Sequence, residues 1–262
     1  MRSDLFCYGL DMLIYGIIPA RYASTRLPGK PLALIHGKTM IQHVYERSAQ
    51  CMCLDKVLVA TDDLRIRAAV ESFGGNCILT RPDHSSGTDR LAEAAETLGL
   101  DDEDIVVNIQ GDEPLLKTAM IETLVEAIVS PPRFEMATLA FSTSNSGDFA
   151  DPNVVKVVVD GSGRALYFSR SPIPFPRESE KPLPFLKHLG FYAYRRRFLT
   201  QFTGLPDGKL ERIEKLEQLR ALEYGYAIRV ALSPFDCESV DTPGDLQKVI
   251  ELLMPDRSRD DT

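Results

Sequence analysis

The sequence predicts an α/β, Rossmann-like fold: a mainly parallel sheet covered by helices on both faces. Three observations predict it. Apolar, strand-like runs alternate with amphipathic helical segments through the first half of the 262 residues. Cap residues and glycines punctuate the helical segments where starts and stops belong. Polar clusters follow directly after the strand-like runs, and ligands bind beyond the carboxyl ends of strands in such sheets.

Taken in order, "LIYGIIP" is the first strand, followed by a basic loop. "GKTMIQHVYERSAQ" is a helix, with Met40, Ile41, Val44 and Tyr45 on one face. "KVLVAT" is a buried strand, and "DDLRIRAAVESFGG" a helix opened by an Asp cap and closed by Gly74 and Gly75. "NCILT" and "DIVVNIQ" are two more strands, separated by the helix "TDRLAEAAETLG". "TAMIETLVEAIVS" carries apolar residues at 120, 121, 124, 125 and 128, and Pro131–Pro132 stop it.

The second half changes character. "EMATLAFS" and "VVKVVVDGSGRALYFSR" read as antiparallel strands, the latter pair joined by "DGSG", so an antiparallel β element is inserted into the sheet. "SPIPFPRESEKPLPF" holds five prolines and reads as a structured but irregular excursion. "HLGFYAY" and "AIRVAL" are strands. Between them, "LERIEKLEQLRALEYG" is expected as one helix, with Ile213, Leu216, Leu219 and Leu222 on one side and Glu214, Glu217 and Gln218 on the other. Finally, "VDTPGDLQKVIELLM" is a helix with Thr242 at its N-cap and Pro243 at its first position.

Bulk properties narrow the function. The chain is 44% hydrophobic and 26% charged, ordinary for a globular protein. Its net charge of −8 argues against sequence-independent nucleic-acid binding, which needs a broad basic face. Five scattered cysteines without a C-x-x-C pair, and four scattered histidines, argue for reduced thiols in a cytosol and against a zinc cage. No apolar run reaches the roughly 18 residues of a membrane span. Asp4 and Asp11, with no small-residue cleavage site nearby, argue against a secretory signal.

Against this acidic background, "IPARYASTRLPGKPL" concentrates Arg21, Arg26 and Lys30 among small residues. Backbone N–H groups and cations together suit a polyphosphate, although a solvated surface loop has the same composition. The loop is neither a Walker A motif nor a dinucleotide fingerprint. "NIQGDEP" then places Asp112 and Glu113 beyond a strand, with Gln110 as its last residue and Gly111 at the turn. An aspartate there either caps the next helix or holds Mg²⁺ against substrate phosphates. "VDTPGD" offers Asp241 as a second carboxylate, and two carboxylates serve a Mg²⁺–nucleotide site far better than one. "TRPDHSSGTDR" supplies Arg81, His84 and Ser86, with Thr88 or Asp89 as the helix cap and His84 as an ordinary polar loop residue. Glu217 and Gln218 form a solvated face by default; with His188 and Tyr192 they would also suit a polyhydroxylated ligand.

Taken together and in this order, "PARYASTRLPGKPL", "RPDHSSGTDR", "NIQGDEP", "KHLGFYAYR", "LERIEKLEQLR" and "VDTPGDL" resemble the 3-deoxy-manno-octulosonate (KDO) cytidylyltransferases, or CMP-KDO synthetases. The likeness runs from about Leu13 to Met254. It implies the three-layer fold of nucleotide-diphospho-sugar transferases and a single domain over 13–254, between an N-terminal extension (1–12) and a disordered tail (255–262). It also implies a cytoplasmic, homodimeric, Mg²⁺-dependent enzyme of lipopolysaccharide synthesis, joining CTP to KDO with release of pyrophosphate. By the same resemblance, Arg21, Arg26, Lys30, Arg81 and Ser86 bind CTP. Asp112 and Asp241 hold Mg²⁺ and, with Lys30, form the catalytic set. Gln110, Arg170, His188, Tyr192, Glu217 and Gln218 contact the sugar.

Two departures stand out. The proline-rich excursion is short for the family, and the residues before Met12 have no counterpart in its pattern, so Met12 is the expected initiator. N-terminal sequencing that finds Met1 refutes that expectation. The competing readings are the same chemistry on sialic acid or an amino variant of KDO, and a non-catalytic nucleotide-binding protein on the same fold. A glycosyltransferase with a D-x-D metal motif is disfavoured, because "DEDI" precedes its strand instead of following it.

Overall fold

The computed structural model describes residues 12–23, 27–131, 134–178 and 183–254. The expectations for the N-terminal extension before Met12 and for the tail 255–262 lie outside these residues, as does Arg26. The sheet expected from the apolar runs is present. Strands β1 (Ile14–Ala20), β4 (Lys56–Thr61), β5 (Cys77–Leu79) and β6 (Ile105–Asn108) pair in parallel. β10 (Phe185–Arg195) runs antiparallel between β6 and β7 (Met136–Thr143), and β11 (Ile228–Leu232) joins β7 in parallel. The order is β11-β7-β10-β6-β1-β4-β5. The inserted element is the hairpin of β8 (Lys156–Val159) and β9 (Ala165–Ser169), which pairs onto β10 through β8. A separate two-stranded ribbon joins β2 (Leu34–Ile35) and β3 (Lys38–Thr39).

Alternation along the strands builds a three-layer body. On β1, Ile14, Ile18 and Ala20 enter one core with Ile41, Ile66 and Met120, while Ile17 enters the opposite core with Leu91, Phe198 and Leu219. The first core is covered by α1 (Met40–Ala49), α2 (Leu64–Ser72) and α4 (Thr118–Val129); the second by α3 (Gly87–Thr97) and α6 (Arg196–Thr203). The five apolar positions foreseen on α4 are all buried. Short α5 (Ser146–Ala150) precedes β8.

One expected element is corrected. The segment 209–224 is not a continuous helix but two short ones, α7 (Lys209–Glu214) and α8 (Gln218–Glu223). Lys215 adopts the left-handed conformation at φ 54° and ends α7, so the helical phase that placed Ile213 with Leu216 is lost. Ile213 is exposed, whereas Leu216, Leu219 and Gln218 are buried, and no solvated acidic face forms.

Chain order fixes where a ligand would bind. From β1 the chain moves outward through β4 and β5, then returns to the other side of β1 as β6. The connections therefore diverge between β1 and β6, and that switch point leaves a crevice at the carboxyl ends. Close approach of the two strand ends requires Gly111, where a Cβ would lie 3.2 Å from the Pro19 carbonyl. Helix α9 (Pro243–Leu252), capped by Thr242 with Asp245 in a capping box, packs its Val249 with Val240, Ile35 and Met40 beside the crevice.

Candidate active site

The cleft at the switch point has a volume of about 480 Å³ and is walled by the ends of β1 and β6, the turn at Lys30, the start of α3, and Asp241. Gly29, at φ 69°, turns the chain into a single 3-10 turn, Lys30–Leu32, and aims Lys30 inward. Lys30 Nζ donates to Asp112 Oδ2 at 2.6 Å and to Asp241 Oδ1 at 3.1 Å. The two aspartate segments are also joined through the backbone, Val240 N–H to the Asp112 carbonyl at 2.9 Å. Burial disfavours the Lys30 charge, but Asp112 and then Asp241 outweigh it, so the ammonium pKa is raised. Neither aspartate caps a helix: Lys117 occupies the N-cap of α4, and Thr242 that of α9.

Arg21 also enters the cleft, its Nη2 donating to the Ser86 carbonyl at 2.7 Å. Ser86 caps α3 in a capping box with Asp89, a role the sequence assigned to Thr88 or Asp89. Arg81 is not brought to this cleft. Its side chain is 67% exposed, near Asp83 and Glu93, on a different surface depression that it shares with His84 and Arg196. His84 pairs with Glu93 and is a loop-bracing residue.

A second, more enclosed polar region lies on the α3 face of the sheet. Strand β6 ends at Asn108, two residues before Gln110, and alternation puts both on this face. Gln110 lines the cleft and donates from Nε2 to the Gly190 carbonyl at 2.6 Å, where the β10–β7 register shifts. Thr138 donates its hydroxyl to the Phe191 carbonyl at 2.7 Å, so it accepts from His188 Nε2 at 2.9 Å. That network leaves His188 Nδ1 as an acceptor, and burial pushes the imidazole pKa down to about 3. The His188 and Tyr192 rings lie 5.4 Å apart, and burial followed by the Glu217 charge raises the Tyr192 pKa.

Because the helix breaks at Lys215, Glu217 turns inward toward α3. Its Oε2 accepts the Thr88 hydroxyl at 2.6 Å. Burial raises its pKa, against the opposing effect of the Thr88 and Ser86 hydroxyls. Two polar atoms here, Gln218 Nε2 and Asn108 Oδ1, are sealed from solvent without a hydrogen bond among the described residues, while Glu217 Oε1, equally sealed, faces Arg220 Nη2 at 3.9 Å. Arg170 sits behind this region, donating Nε to the Glu214 carbonyl at 2.7 Å and Nη1 to the Pro152 carbonyl at 2.9 Å. It braces the break between α7 and α8. Asn108 and Thr88 were missed from sequence: Asn108 ends an otherwise apolar strand and Thr88 resembles a cap, so neither carries a local signal.

A doubly wound sheet with cations and two convergent carboxylates at its switch point is the layout of a nucleotidyltransferase. Residues 15–230 match the cytidylyltransferase family, and the chain belongs to that family. It is 63% identical over 246 residues to a 3-deoxy-manno-octulosonate cytidylyltransferase of Syntrophobacter fumaroxidans, covering 94% of this chain and 98% of that protein. It is 54% identical over 241 residues to an 8-amino-3,8-dideoxy-manno-octulosonate cytidylyltransferase of Shewanella baltica, covering 92% and 98%. A solved structure of CMP:2-keto-3-deoxy-manno-octonic acid synthetase complexed with CTP superimposes with a TM-score of 0.86 at 48% identity, over 92% of this chain and 98% of that one. A 4-diphosphocytidyl-2C-methyl-D-erythritol synthase, 14% identical with a TM-score of 0.62, shares the fold alone.

Proposed function

We propose that the chain transfers the cytidylyl group of CTP to the anomeric hydroxyl of KDO. The sugar oxygen bonds to the α-phosphorus, the bond to the β-phosphate oxygen breaks, pyrophosphate leaves, and the hydroxyl proton passes to solvent. One observation carries this reading: Lys30 Nζ stands between Asp112 and Asp241, at 2.6 and 3.1 Å, beneath a cleft that Arg21 also enters. Such a layout provides cations for a triphosphate and carboxylates for a divalent ion.

Mg²⁺ fits this donor set. Two carboxylates that converge on one ammonium can converge on a metal ion. Among the described residues, no group of three or more His, Cys, Asp or Glu could hold a metal, so Asp112 and Asp241 would hold the ion with substrate and water oxygens supplying its other ligands, as Mg²⁺ prefers. When bound, Mg²⁺ would supply charge neutralisation at the phosphates and acidify the attacking hydroxyl. Arg21, Lys30 and, by the family resemblance, Arg26 offset charge on the leaving pyrophosphate. The sealed atoms of Gln218 and Asn108, with the Glu217 carboxylate beside them, would find partners in sugar hydroxyls. A cytoplasmic homodimer serving lipopolysaccharide synthesis belongs to the same reading.

A second reading, 8-amino-KDO as acceptor, is favoured by the 54% identical relative and by the inward Glu217 carboxylate, a fitting partner for an ammonium group. Pyrophosphate release with CTP or UTP, paired with KDO, 8-amino-KDO or sialic acid, separates these outcomes. The proposal expects turnover with CTP and KDO that a chelator abolishes. Release with sialic acid alone, or with no acid sugar, contradicts it.

A further inference from the structure

Arg90 reaches neither the cleft nor solvent, yet its surroundings concern both halves of the site. It is 0% exposed, an uncommon place for a guanidinium. Nη2 lies 2.9 Å from Asp62 Oδ1, just past β4, but off the line of a hydrogen bond, so the contact is an ion pair. Nη1 donates to the Thr80 hydroxyl, just past β5. Arg90 therefore ties α3 to two strand ends on the outer side of β1. It is also close enough to Arg21 for the two like charges to repel.

The same turn of α3 serves the two halves. Ser86 offers its carbonyl to Arg21 at 2.7 Å, on the nucleotide side. Thr88 donates its hydroxyl to Glu217 at 2.6 Å, on the enclosed side. Residues two apart on a helix diverge by about 200°, so Arg90 faces the sheet edge while Thr88 faces Glu217. The turn is already capped by Ser86 and Asp89, and Ser85 adds a bond to Asp89 at 2.7 Å. Those contacts fix its shape and not its place on the sheet. A buried ion pair is poor as a general stabiliser, since apolar residues of similar volume often do as well.

We propose that Arg90 is a positioning residue that sets the height and tilt of α3, keeping the Arg21 and Glu217 halves in one geometry. The inference rests on the function proposed above. Arg90 touches no substrate; it acts through Ser86 and Thr88. Substitution should therefore disturb both substrates together, whereas Arg21→Ala should affect CTP alone and Thr88→Val the sugar alone.

The test measures melting temperature and the two KM values in the pyrophosphate-release assay. Arg90→Met should raise KM for CTP and for KDO by about tenfold each, the low end of effects for outer-shell partners, with a smaller change in kcat. Arg90→Lys, which restores charge without the planar fork, should recover part of both. A lower melting temperature with both KM values unchanged, or a rise in only one, overturns the proposal. If Arg90→Met does not fold, Asp62→Asn carries the same test with the same two outcomes. Wild-type protein that releases no pyrophosphate refutes the functional reading instead. Equilibrium CTP binding then decides the positioning claim: Arg90→Met must weaken it about tenfold, and unchanged affinity overturns the claim.

Discussion

The charged cleft proposed to take the nucleotide and the enclosed region proposed to take the sugar solve opposite problems. In the first, Lys30, Asp112 and Asp241 satisfy one another, with side chains 16%, 26% and 38% exposed. In the second, Gln218 and Asn108 keep polar atoms sealed and without hydrogen bonds among the described residues, beside a Glu217 carboxylate that faces Arg220. A self-paired, partly wet cluster can exchange partners cheaply when a charged triphosphate arrives, because solvent screens each intermediate state. Sealed orphan atoms cost about 1–3 kcal/mol each, and a ligand with hydroxyls in the right places removes that cost. Under the proposed function, the difference teaches that charge would attract the nucleotide while unsatisfied hydrogen bonds would choose the sugar.

The largest expected effect comes from breaking the first half. Lys30→Met leaves Asp112 and Asp241 facing each other without their shared cation, and kcat/KM for CTP should fall about 100-fold or more. Steady-state kinetics with CTP varied at saturating KDO checks this, and a loss under tenfold contradicts it.

The matching change in the second half is Glu217→Gln. It replaces a carboxylate that accepts the Thr88 hydroxyl at 2.6 Å. KM for KDO should rise roughly 10–100-fold while CTP affinity stays within about threefold, because the amide oxygen can still accept the Thr88 hydroxyl and hold α3 in place while the proposed contacts to the sugar change. Equal losses for both ligands would erase the distinction between the halves.

A smaller effect concerns stability and pH. His188 titrates near 6.5 in an unfolded chain but is held down to about 3 by burial. Between those values the unfolded chain binds a proton that the folded one refuses, so stability is lost as pH falls from about 6.5 toward 3. The slope is at most about 1.4 kcal/mol per pH unit. Urea melts of His188→Gln at pH 7 and 4.5 should show a shallower loss than wild type; parallel losses would remove His188 from the account.

How much was legible in the sequence follows the same division. The strands, the caps at Asp63 and Thr242, and the grouping of Lys30 with Asp112 and Asp241 were readable, because each follows from local periodicity or from placement beyond a parallel strand. The enclosed half was not. A left-handed Lys215 overrides a heptad-like pattern and turns Glu217 inward, and no propensity at 215 announces that. Arg81 sits in a basic-looking motif yet points to another surface, since the loop's direction depends on how His84 and Glu93 pair. Arg90 shared that motif and went unnoticed, because its partners Asp62 and Thr80 come from separate strand ends.

The paired carboxylates are the centre of the account, and turnover of Asp112→Ala and Asp241→Ala tests them most directly. At saturating CTP, KDO and Mg²⁺, each variant should lose more than the 10–100-fold typical of outer-shell partners, with its melting temperature near wild type. Near-normal kcat in either variant would contradict the assignment of that aspartate.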